Sequence, residues 1–106
     1  MHLIEVQRCD TLYFGTAIPG SAAVVSDAEW RAFVSEVITP RFPGFTEWNA
    51  EGHWKSEHEA THIVQIVHTS RFENERFVQE IIDAYKSRFH QEAVYWVRSD
   101  VLAEAR

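Results

Sequence analysis

The chain has 106 residues, which is enough for one domain with one hydrophobic core. Hydrophobic residues make up 45% of the chain and aromatic residues 13%, a composition that excludes disorder over most of its length. With 10 Lys and Arg against 16 Asp and Glu, the formal charge is −6, which disfavours binding to nucleic acid and to anionic membrane surfaces.

Sorting signals and cysteine pairing are also disfavoured. No apolar run approaches the roughly 20 residues of a membrane span, and the first residues lack the basic-then-apolar order of a signal peptide. Cys9 is the single cysteine, which excludes an internal disulfide and a thiolate metal cluster. We therefore expect a cytoplasmic protein with one domain over 1–106 and a core over about 10–98.

The first half of the chain predicts a strand, a helix and a second strand. The strand covers 11–18 and ends at a Pro-Gly pair. The helix begins at Ser26, which forms a capping box with Glu29. One apolar stripe follows at helical spacing, formed by Trp30, Phe33, Val34, Val37 and Ile38. Residues 45–58 predict a strand with a bulge or bend at Gly52, or two short strands.

The second half predicts a strand, a helix and a last strand. The β-branched run at 61–68 indicates the third strand. A second helix opens within 69–73, and its apolar stripe consists of Phe77, Val78, Ile81, Ile82, Tyr85 and Phe89. Residues 93–98 predict the last strand, and 99–106 a polar tail or short helix.

The order β-α-β-β-α-β predicts an α+β domain of the ferredoxin-like split type. In this plan a four-stranded antiparallel sheet carries two helices on one face. The bare face takes one alternate set of residues from each strand, with these candidates: Tyr13, Trp48, His62 or Ile63, and Tyr95 or Trp96. An aromatic open face is suited to pairing with another copy, so we expect a homo-oligomer.

Residues 58–62 read His-Glu-Ala-Thr-His and match the zinc-protease motif His-Glu-x-x-His. That motif works on a helix, where both imidazoles reach one ion. Here the second histidine leads into the β-branched run, and residues four apart on a strand are about 13 Å apart. We interpret the match as a coincidence and predict no metal at the four nearby histidines, His53, His58, His62 and His68.

Polar residues at the ends of the predicted elements are more informative. Glu57 and Glu59 precede the third strand, and Gln91 and Glu92 lie in the turn before the last strand. Carboxylates beside aromatic side chains suit a cationic, ring-bearing ligand; the candidate aromatics are Tyr13, Trp48, Trp54 and Trp96. The alternative is that the acids are solvated and the aromatics belong to the core or an interface. A one-residue shift at Gly52 would exchange the faces of the two glutamates before the third strand, so both remain candidates.

Much of the chain resembles a bacterial family of unknown function whose members are often small exported proteins. The most specific shared patterns are Thr-Pro-Arg-Phe-Pro at 39–43 and Phe-x-Gln-Glu-x-Val at 89–94. The others are Phe14-Gly15, Ser26-Asp27-Ala28-Glu29-Trp30, Phe33, Gly52-His53-Trp54 and Tyr85. This resemblance implies a fold but no activity, and the export signal of those relatives is not visible here.

Three shorter segments are similar to phage-encoded S-adenosylmethionine lyases, long called S-adenosylmethionine hydrolases. They are Gly-x-Trp-Lys at 52–55, Glu-x-Thr at 59–61 and Gln-Glu-x-Val at 91–94. Members of that family are trimers of ferredoxin-like subunits, with substrate held at the subunit interfaces. The resemblance therefore implies a homotrimer whose functional carboxylates are Glu59 and Glu92.

Our leading hypothesis is a cofactor-free S-adenosylmethionine lyase. In that reaction the substrate's own carboxylate attacks its γ-carbon, methylthioadenosine leaves and homoserine lactone forms, so no general base is required. Glu59 and Glu92 would anchor the amino group or ribose. The further substrate-binding residues that we predict are Gln91, Trp54, Trp48, Tyr13 and Thr61, with one of the two tryptophans at the adenine or sulfonium.

The main alternative is a non-catalytic, oligomeric domain of the uncharacterised family that binds or senses a small ligand. Other enzymes with interface sites, such as isomerases or monooxygenases, and a purely structural module are further alternatives. A lyase requires Glu59 and Glu92 to face one cavity, whereas a structural module would direct both to solvent.

Overall fold

A computed structural model describes residues 6–106 of the chain. Its elements in chain order are β1 (Val6–Gly15), α1 (Asp27–Phe33), a π-helical segment (Val34–Ile38), β2 (Thr46–Trp54), β3 (Glu57–Thr69), α2 (Phe72–Phe89) and β4 (Tyr95–Leu102). The strands form one antiparallel sheet in the order β2-β3-β1-β4. The predicted α+β class and the order β-α-β-β-α-β are confirmed. Within residues 6–106, no helix combines the length and apolarity that crossing a membrane requires.

Both helices pack on the same face of the sheet. Leu12 and Phe14 of β1 and Val64 and Ile66 of β3 are fully buried and alternate with residues of the other face. They form one core with the apolar stripes of the helices, which include Trp30, Phe33, Val37, Ile38, Val78, Ile81, Tyr85 and Phe89. This shared core fixes the position of the helices over one side of the sheet.

The opposite face, here called the open face, carries no helix among the described residues. Tyr13 pairs with Ile63 on one side and Tyr95 on the other, and Ile63 also pairs with Trp48. Residues directly opposite in an antiparallel pair share a face. The open-face choices in β3 and β4 are therefore Ile63 and Tyr95, while Trp96 packs against the core.

The first helix begins as predicted. The Ser26 hydroxyl accepts from the Glu29 amide (3.1 Å), and the Glu29 carboxylate accepts from the Ser26 amide (3.0 Å). Hydrogen bonding of the Glu29 carboxylate to the Ser26 amide, with a smaller contribution from the Ser26 side chain, holds the pKa of Glu29 below its usual value. The second helix differs slightly, because its N-cap is Arg71, which makes no side-chain cap bond.

The predicted bulge at Gly52 is wrong. Gly52 pairs regularly with Glu59, and the chain reverses instead at Lys55 and Ser56, both in the left-handed region with φ of 47° and 68°. Two such residues form the tight turn that matches the twist of a β-hairpin. Residues 45–58 contain one strand, β2 (Thr46–Trp54), and the first two residues of β3, instead of two short strands.

The strand boundaries also shift, because pairing continues through polar residues. The first strand runs over Val6–Gly15 rather than 11–18, since its early residues pair with both β3 and β4. The last strand extends to Leu102, so much of the predicted polar tail belongs to the sheet. Asp100 illustrates the reason, because it lies opposite Arg8 and forms an ion pair with it (3.1 Å).

Candidate functional site

The open face has a hollow where β1 and β2 each carry a glycine, Gly15 and Gly52. Glu59 and Thr61 project from β3, and the residues opposite them are Gly52 on β2 and Gly15 on β1, respectively. A Cβ at Gly52 would lie 2.9 Å from the Thr61 hydroxyl, so Gly52 leaves the space that this hydroxyl occupies. The pairing register of the strands therefore forms the hollow, because it places Glu59 and Thr61 of β3 between the glycines of β1 and β2.

The hollow opens into a cavity of about 570 Å³. Its lining residues are Tyr13, Gly15, Ala17, Gly52, His53, Trp54, Glu57, His58, Glu59, Thr61, Gln91, Ala93 and Tyr95. Among residues 6–106, no lysine or arginine belongs to this lining, whereas two glutamates do. The cavity thus favours cationic or hydrogen-donating ligands over anionic ones.

Glu59 is held at the end of β1. Its Oε2 atom accepts from the Ala17 amide (2.7 Å). Its other oxygen, Oε1, lies against Gly15, where a Cβ would come within 2.6 Å of it. A residue with a side chain at position 15 would displace this carboxylate, so Gly15 is needed for the close approach.

Two further side chains hold the same stretch of main chain. Gln91 Nε2 donates to the Ala17 carbonyl (2.8 Å) and to the Phe89 carbonyl (3.4 Å). The Tyr85 hydroxyl donates to the Gly15 carbonyl (2.6 Å) from within the core. Burial raises the pKa of Tyr85 well above its ordinary value, with smaller contributions from the charges of Glu59 and Glu29, so Tyr85 stays a protonated donor.

Aromatic side chains form the apolar walls. Tyr13 and Tyr95 meet edge to face with ring centroids 6.1 Å apart. Trp54 is 74% exposed and has Lys55 Nζ 5.6 Å from its ring centre. An exposed indole and two tyrosines are suitable surfaces for a ring-bearing ligand.

The whole His-Glu-x-x-His segment lies on β3, because this strand begins at Glu57 and not at 61 as predicted; Glu57 and Glu59 therefore belong to the strand that they were expected to precede. The two histidines of the segment have different surroundings. His58 Nδ1 contacts the Glu51 carboxylate on β2. His62 stacks on Trp30 with centroids 4.3 Å apart and donates to Asn49 Oδ1 (2.8 Å). Burial lowers the pKa of His62. Within residues 6–106, no group of three or more His, Cys, Asp or Glu side chains is arranged to hold a metal ion.

The structure brings most of the predicted site residues together. Five of them line the cavity, namely Tyr13, Trp54, Glu59, Thr61 and Gln91. Within the described part of the chain, Glu92 and Trp48 do not line it; Glu92 is exposed beside Gln91, and Trp48 is 42% exposed on the open face. Both Glu57 and Glu59 reach the cavity, but of these two only Glu59 is partly buried.

Sequence reasoning missed the residues that lack large side chains. Gly15, Gly52, Ala17 and Ala93 all line the cavity. The signal that would have found the glycines is their position opposite Glu59 and Thr61, which requires the strand register. Taken singly along the sequence, these glycines and alanines match no ligand-binding motif.

A second polar group lies on the helix-covered face and is here called the buried cluster; it consists of Asp10, His68 and Trp96. Asp10 is 1% exposed, and its Oδ1 accepts from Trp96 Nε1 (2.7 Å), while its Oδ2 pairs with His68 Nε2. His68 Nδ1 donates to the Thr69 carbonyl (2.7 Å). All the hydrogen-bonding atoms of the two rings, and both carboxylate oxygens, are thus engaged.

Comparison with known proteins identifies the family. Residues 9–104 match the family described as "Protein of unknown function (DUF3574)", and the chain belongs to this family. None of the curated proteins matches the chain.

Two solved structures share the fold over almost the whole chain. A phage SAM lyase in complex with S-methyl-5′-thioadenosine has 13% identity and a TM-score of 0.65, over 97% of this chain and 95% of that one. A phage SAM lyase in the apo state has 16% identity and a TM-score of 0.61, over 100% of this chain and 98% of that one. The resemblance to phage SAM lyases is confirmed at the level of the fold.

Proposed function

We propose that this DUF3574 protein binds an adenosyl ligand in the open-face cavity and cleaves S-adenosylmethionine there. The main support is the Glu59 carboxylate in an aromatic hollow, on a fold that matches a phage SAM lyase complexed with S-methyl-5′-thioadenosine. The cavity volume of about 570 Å³ is within the range that binds small molecules, roughly 300–1,000 Å³. We further propose that the domain is a ferredoxin-like subunit.

Two polar side chains of the cavity, Glu59 and Gln91, present hydrogen-bond acceptors to a ligand. Glu59 contributes Oε1, since Oε2 already accepts from Ala17. Gln91 contributes its Oε1, because its amino group donates to two main-chain carbonyls. A ligand with ammonium or hydroxyl donors and a positive charge, such as S-adenosylmethionine, is complementary to these acceptors.

The proposed reaction transfers no proton in its bond-breaking step. A carboxylate oxygen of the substrate bonds to its own γ-carbon, the bond from that carbon to sulfur breaks, and the electron pair stays on sulfur. The sulfonium becomes a neutral thioether, and the products are S-methyl-5′-thioadenosine and homoserine lactone. Because opposite charges cancel in the transition state, an aromatic, water-poor site favours the reaction over bulk water. Holding the methionine arm folded supplies the attack geometry.

The lining chemistry agrees with this mechanism. An arginine clamped on the substrate carboxylate would weaken it as a nucleophile, and among residues 6–106 no arginine or lysine lines the cavity. We propose that Glu59 binds the ammonium or ribose hydroxyls with help from Gln91 and Thr61. Trp54 and Tyr13 would contact the adenine or the sulfonium.

We propose that Glu92 and Trp48 join the site in a homotrimer. The open face exposes several large apolar side chains, which are Trp48, Trp54, Val67, Tyr95 and Val97. Contact between copies would remove this apolar surface from water. Glu92, at the rim beside Gln91, would then face a cavity closed by a neighbouring subunit.

Incubation of the pure protein with S-adenosylmethionine, followed by mass spectrometry of the products, tests the proposal. We expect S-methyl-5′-thioadenosine and homoserine lactone above the spontaneous rate. Glu59→Gln, which keeps the shape and removes the charge, should lower kcat/KM by about a hundredfold, the effect of losing a charged contact to the ligand. Glu73→Gln is the matched control, because Glu73 lies in the first turn of α2 and does not line the cavity.

Glu92→Gln tests the oligomeric site in the same assay. If Glu92 acts through a neighbouring subunit, its variant loses activity while the trimer mass measured by light scattering is unchanged. Activity equal to that of Glu73→Gln would remove Glu92 from the site. Absence of turnover in the wild-type protein would contradict the proposed lyase activity.

A non-catalytic ligand-binding domain is the second candidate function. The observation that favours it is the engagement of Glu59 with Ala17, together with the position of Glu92 outside the cavity. In that case calorimetry would detect S-methyl-5′-thioadenosine or S-adenosylmethionine binding, and mass spectrometry would recover the ligand intact.

A further inference from the structure

The stretch of main chain over 15–17 is held from both sides of the sheet. From the core, the Tyr85 hydroxyl donates to the Gly15 carbonyl (2.6 Å). Within the sheet, the Thr16 amide and hydroxyl both donate to the Ala60 carbonyl (3.2 and 2.7 Å). From the cavity side, Glu59 and Gln91 bind the amide and the carbonyl of Ala17.

The Glu59 carboxylate depends on this stretch for its position. One of its oxygens accepts from the Ala17 amide, and the other lies against Gly15. Beyond this point the chain enters the segment 18–24, which is mainly exposed and is joined to the sheet end by the isolated bridge between Ala17 and Val24. A shift of residues 15–17 would therefore move the carboxylate in the cavity.

Tyr85 is placed to prevent that shift. Its side chain is fully buried among Phe14, Phe33 and Phe89, with ring centroids 4.8 to 5.1 Å away. A ring packed in this way has a fixed orientation, so its hydroxyl is a fixed point of attachment. The hydroxyl donates to the carbonyl of Gly15, the residue at which an added Cβ would come within 2.6 Å of the Glu59 carboxylate.

We propose that Tyr85 is a positioning residue, which fixes the Glu59 carboxylate from beneath the sheet through Gly15. The inference rests on the proposed ligand site at Glu59. Tyr85 lies outside the lining of the cavity and does not touch the ligand in this proposal. Its effect on ligand binding passes through Glu59.

The test uses Tyr85→Phe, which removes the hydroxyl and retains the ring. The probe is S-methyl-5′-thioadenosine, with affinity measured by calorimetry. We expect about a tenfold loss of affinity, the size associated with one hydrogen bond. Ser35→Ala is the matched control, because it removes a hydroxyl that donates to a main-chain carbonyl (Ala32, 3.1 Å), and neither residue lines the cavity.

A double-mutant cycle with Glu59→Gln separates positioning from general stabilisation. If Tyr85 acts through Glu59, Tyr85→Phe has little further effect on affinity in the Glu59→Gln background. Equal losses in both backgrounds would overturn the inference. No loss in the wild-type background would overturn it as well.

Amide hydrogen exchange distinguishes failure of this inference from failure of the proposed function. Tyr85→Phe should speed exchange of the Ala17 amide at least fivefold while the Leu12 amide, in the middle of β1, is unchanged. If the wild-type protein does not bind the probe, the proposed function fails. The exchange rate of the Ala17 amide still shows whether the Tyr85 hydroxyl holds residues 15–17 in place. Unchanged exchange at Ala17 would overturn the positioning role in either case.

Gly15→Ala provides a second route if Tyr85→Phe does not fold. The added Cβ would lie 2.6 Å from Glu59 Oε1 and force the carboxylate to move, and the three heavy atoms nearest to this Cβ all belong to the Glu59 side chain, so the conflict is with the carboxylate. We expect at least a tenfold loss of affinity for the same probe. Gly44→Ala is its control, since a Cβ there would have no heavy atom within 4 Å. Equal affinities of the two variants would overturn the inference.

Discussion

Two carboxylates of neighbouring strands, Asp10 on β1 and Glu59 on β3, have opposite surroundings. Asp10 lies on the helix-covered face, is 1% exposed, and has both oxygens bonded within the buried cluster. Glu59 lies in the hollow of the open face, with Oε2 bonded to Ala17 and Oε1 against Gly15 in the cavity. The Asp10 carboxylate is enclosed and bonded through both oxygens, whereas Glu59 presents Oε1 to the cavity, where it can accept a hydrogen bond from a ligand.

Every polar atom of the buried cluster has a partner. A carbonyl can only accept, so His68 Nδ1 donates to Thr69, while His68 Nε2 pairs with Asp10 Oδ2. This arrangement meets the requirement that a buried charge be paired and hydrogen-bonded. From this comparison we infer that the buried, fully hydrogen-bonded carboxylate of Asp10 stabilises the fold, whereas the partly bonded carboxylate of Glu59 is available to bind a ligand.

The largest expected effect comes from breaking the buried cluster. Asp10→Ala leaves His68 and Trp96 without their buried partner, and we expect it to lower the free energy of unfolding by roughly 3–5 kcal/mol. Glu59→Ala removes one partly exposed hydrogen bond and should cost about 1 kcal/mol. Urea denaturation followed by tryptophan fluorescence measures both. If both variants lost the same free energy of unfolding, Asp10 would not differ from Glu59 in its contribution to stability, and the comparison would be wrong.

A smaller effect concerns a histidine whose partner is an amide instead of a carboxylate. His62 bonds Asn49, and burial lowers its pKa below 6.5 in the folded protein. The unfolded chain then takes up a proton at a higher pH than the folded one, so His62 destabilises the fold as pH falls below about 6.5. The slope from this one group is at most about 1.4 kcal/mol per pH unit.

The measurement is urea denaturation of the wild type and His62→Gln between pH 7.5 and 5 (buffer values, about the range in which histidine changes charge). We expect the stability difference between the two proteins to shift in favour of His62→Gln as the pH falls. A constant difference would show that His62 takes up its proton equally in the folded and unfolded states.

The smallest effect on stability is expected from two exposed aromatics. Trp54 is 74% exposed at the cavity, and Phe72 is 80% exposed at the start of α2. Replacing either by Ala should change the free energy of unfolding by no more than about 0.5 kcal/mol. We expect only Trp54→Ala to weaken binding of S-methyl-5′-thioadenosine, by about tenfold, as stacking on an adenine ring predicts. Equal affinities of the two variants in calorimetry would remove Trp54 from the ligand site.

Local signals in the sequence predicted the local structure well. The capping box at Ser26 formed, because both of its hydrogen bonds join residues three apart. The β-branched run over 61–68 lies within β3 for a similar reason, since side-chain shape favours extended backbone. These features depend on few other parts of the chain.

Features that depend on distant pairing were predicted less well. β4 continues through Arg98 and Asp100 because β1 lies beside it and because Glu75 and Arg8 pair with these charges. The site shows the same division. Glu59 and Gln91 were chosen as polar residues at element ends, whereas the role of Gly15 follows from its register against β3.

The pairing of β1 with β4 has a consequence for how the chain folds. β2 and β3 are joined by a two-residue turn, so they can meet early, whereas Val6 pairs with Leu102 across almost the whole sequence. Bringing such distant segments together carries a large loop-closure entropy and slows folding. The cavity extends over this late junction, since Tyr13 belongs to β1, Tyr95 to β4 and Trp54 to the hairpin. A ligand bound there would contact the first and last strands together, so occupancy of the site would also stabilise the folded sheet against unfolding.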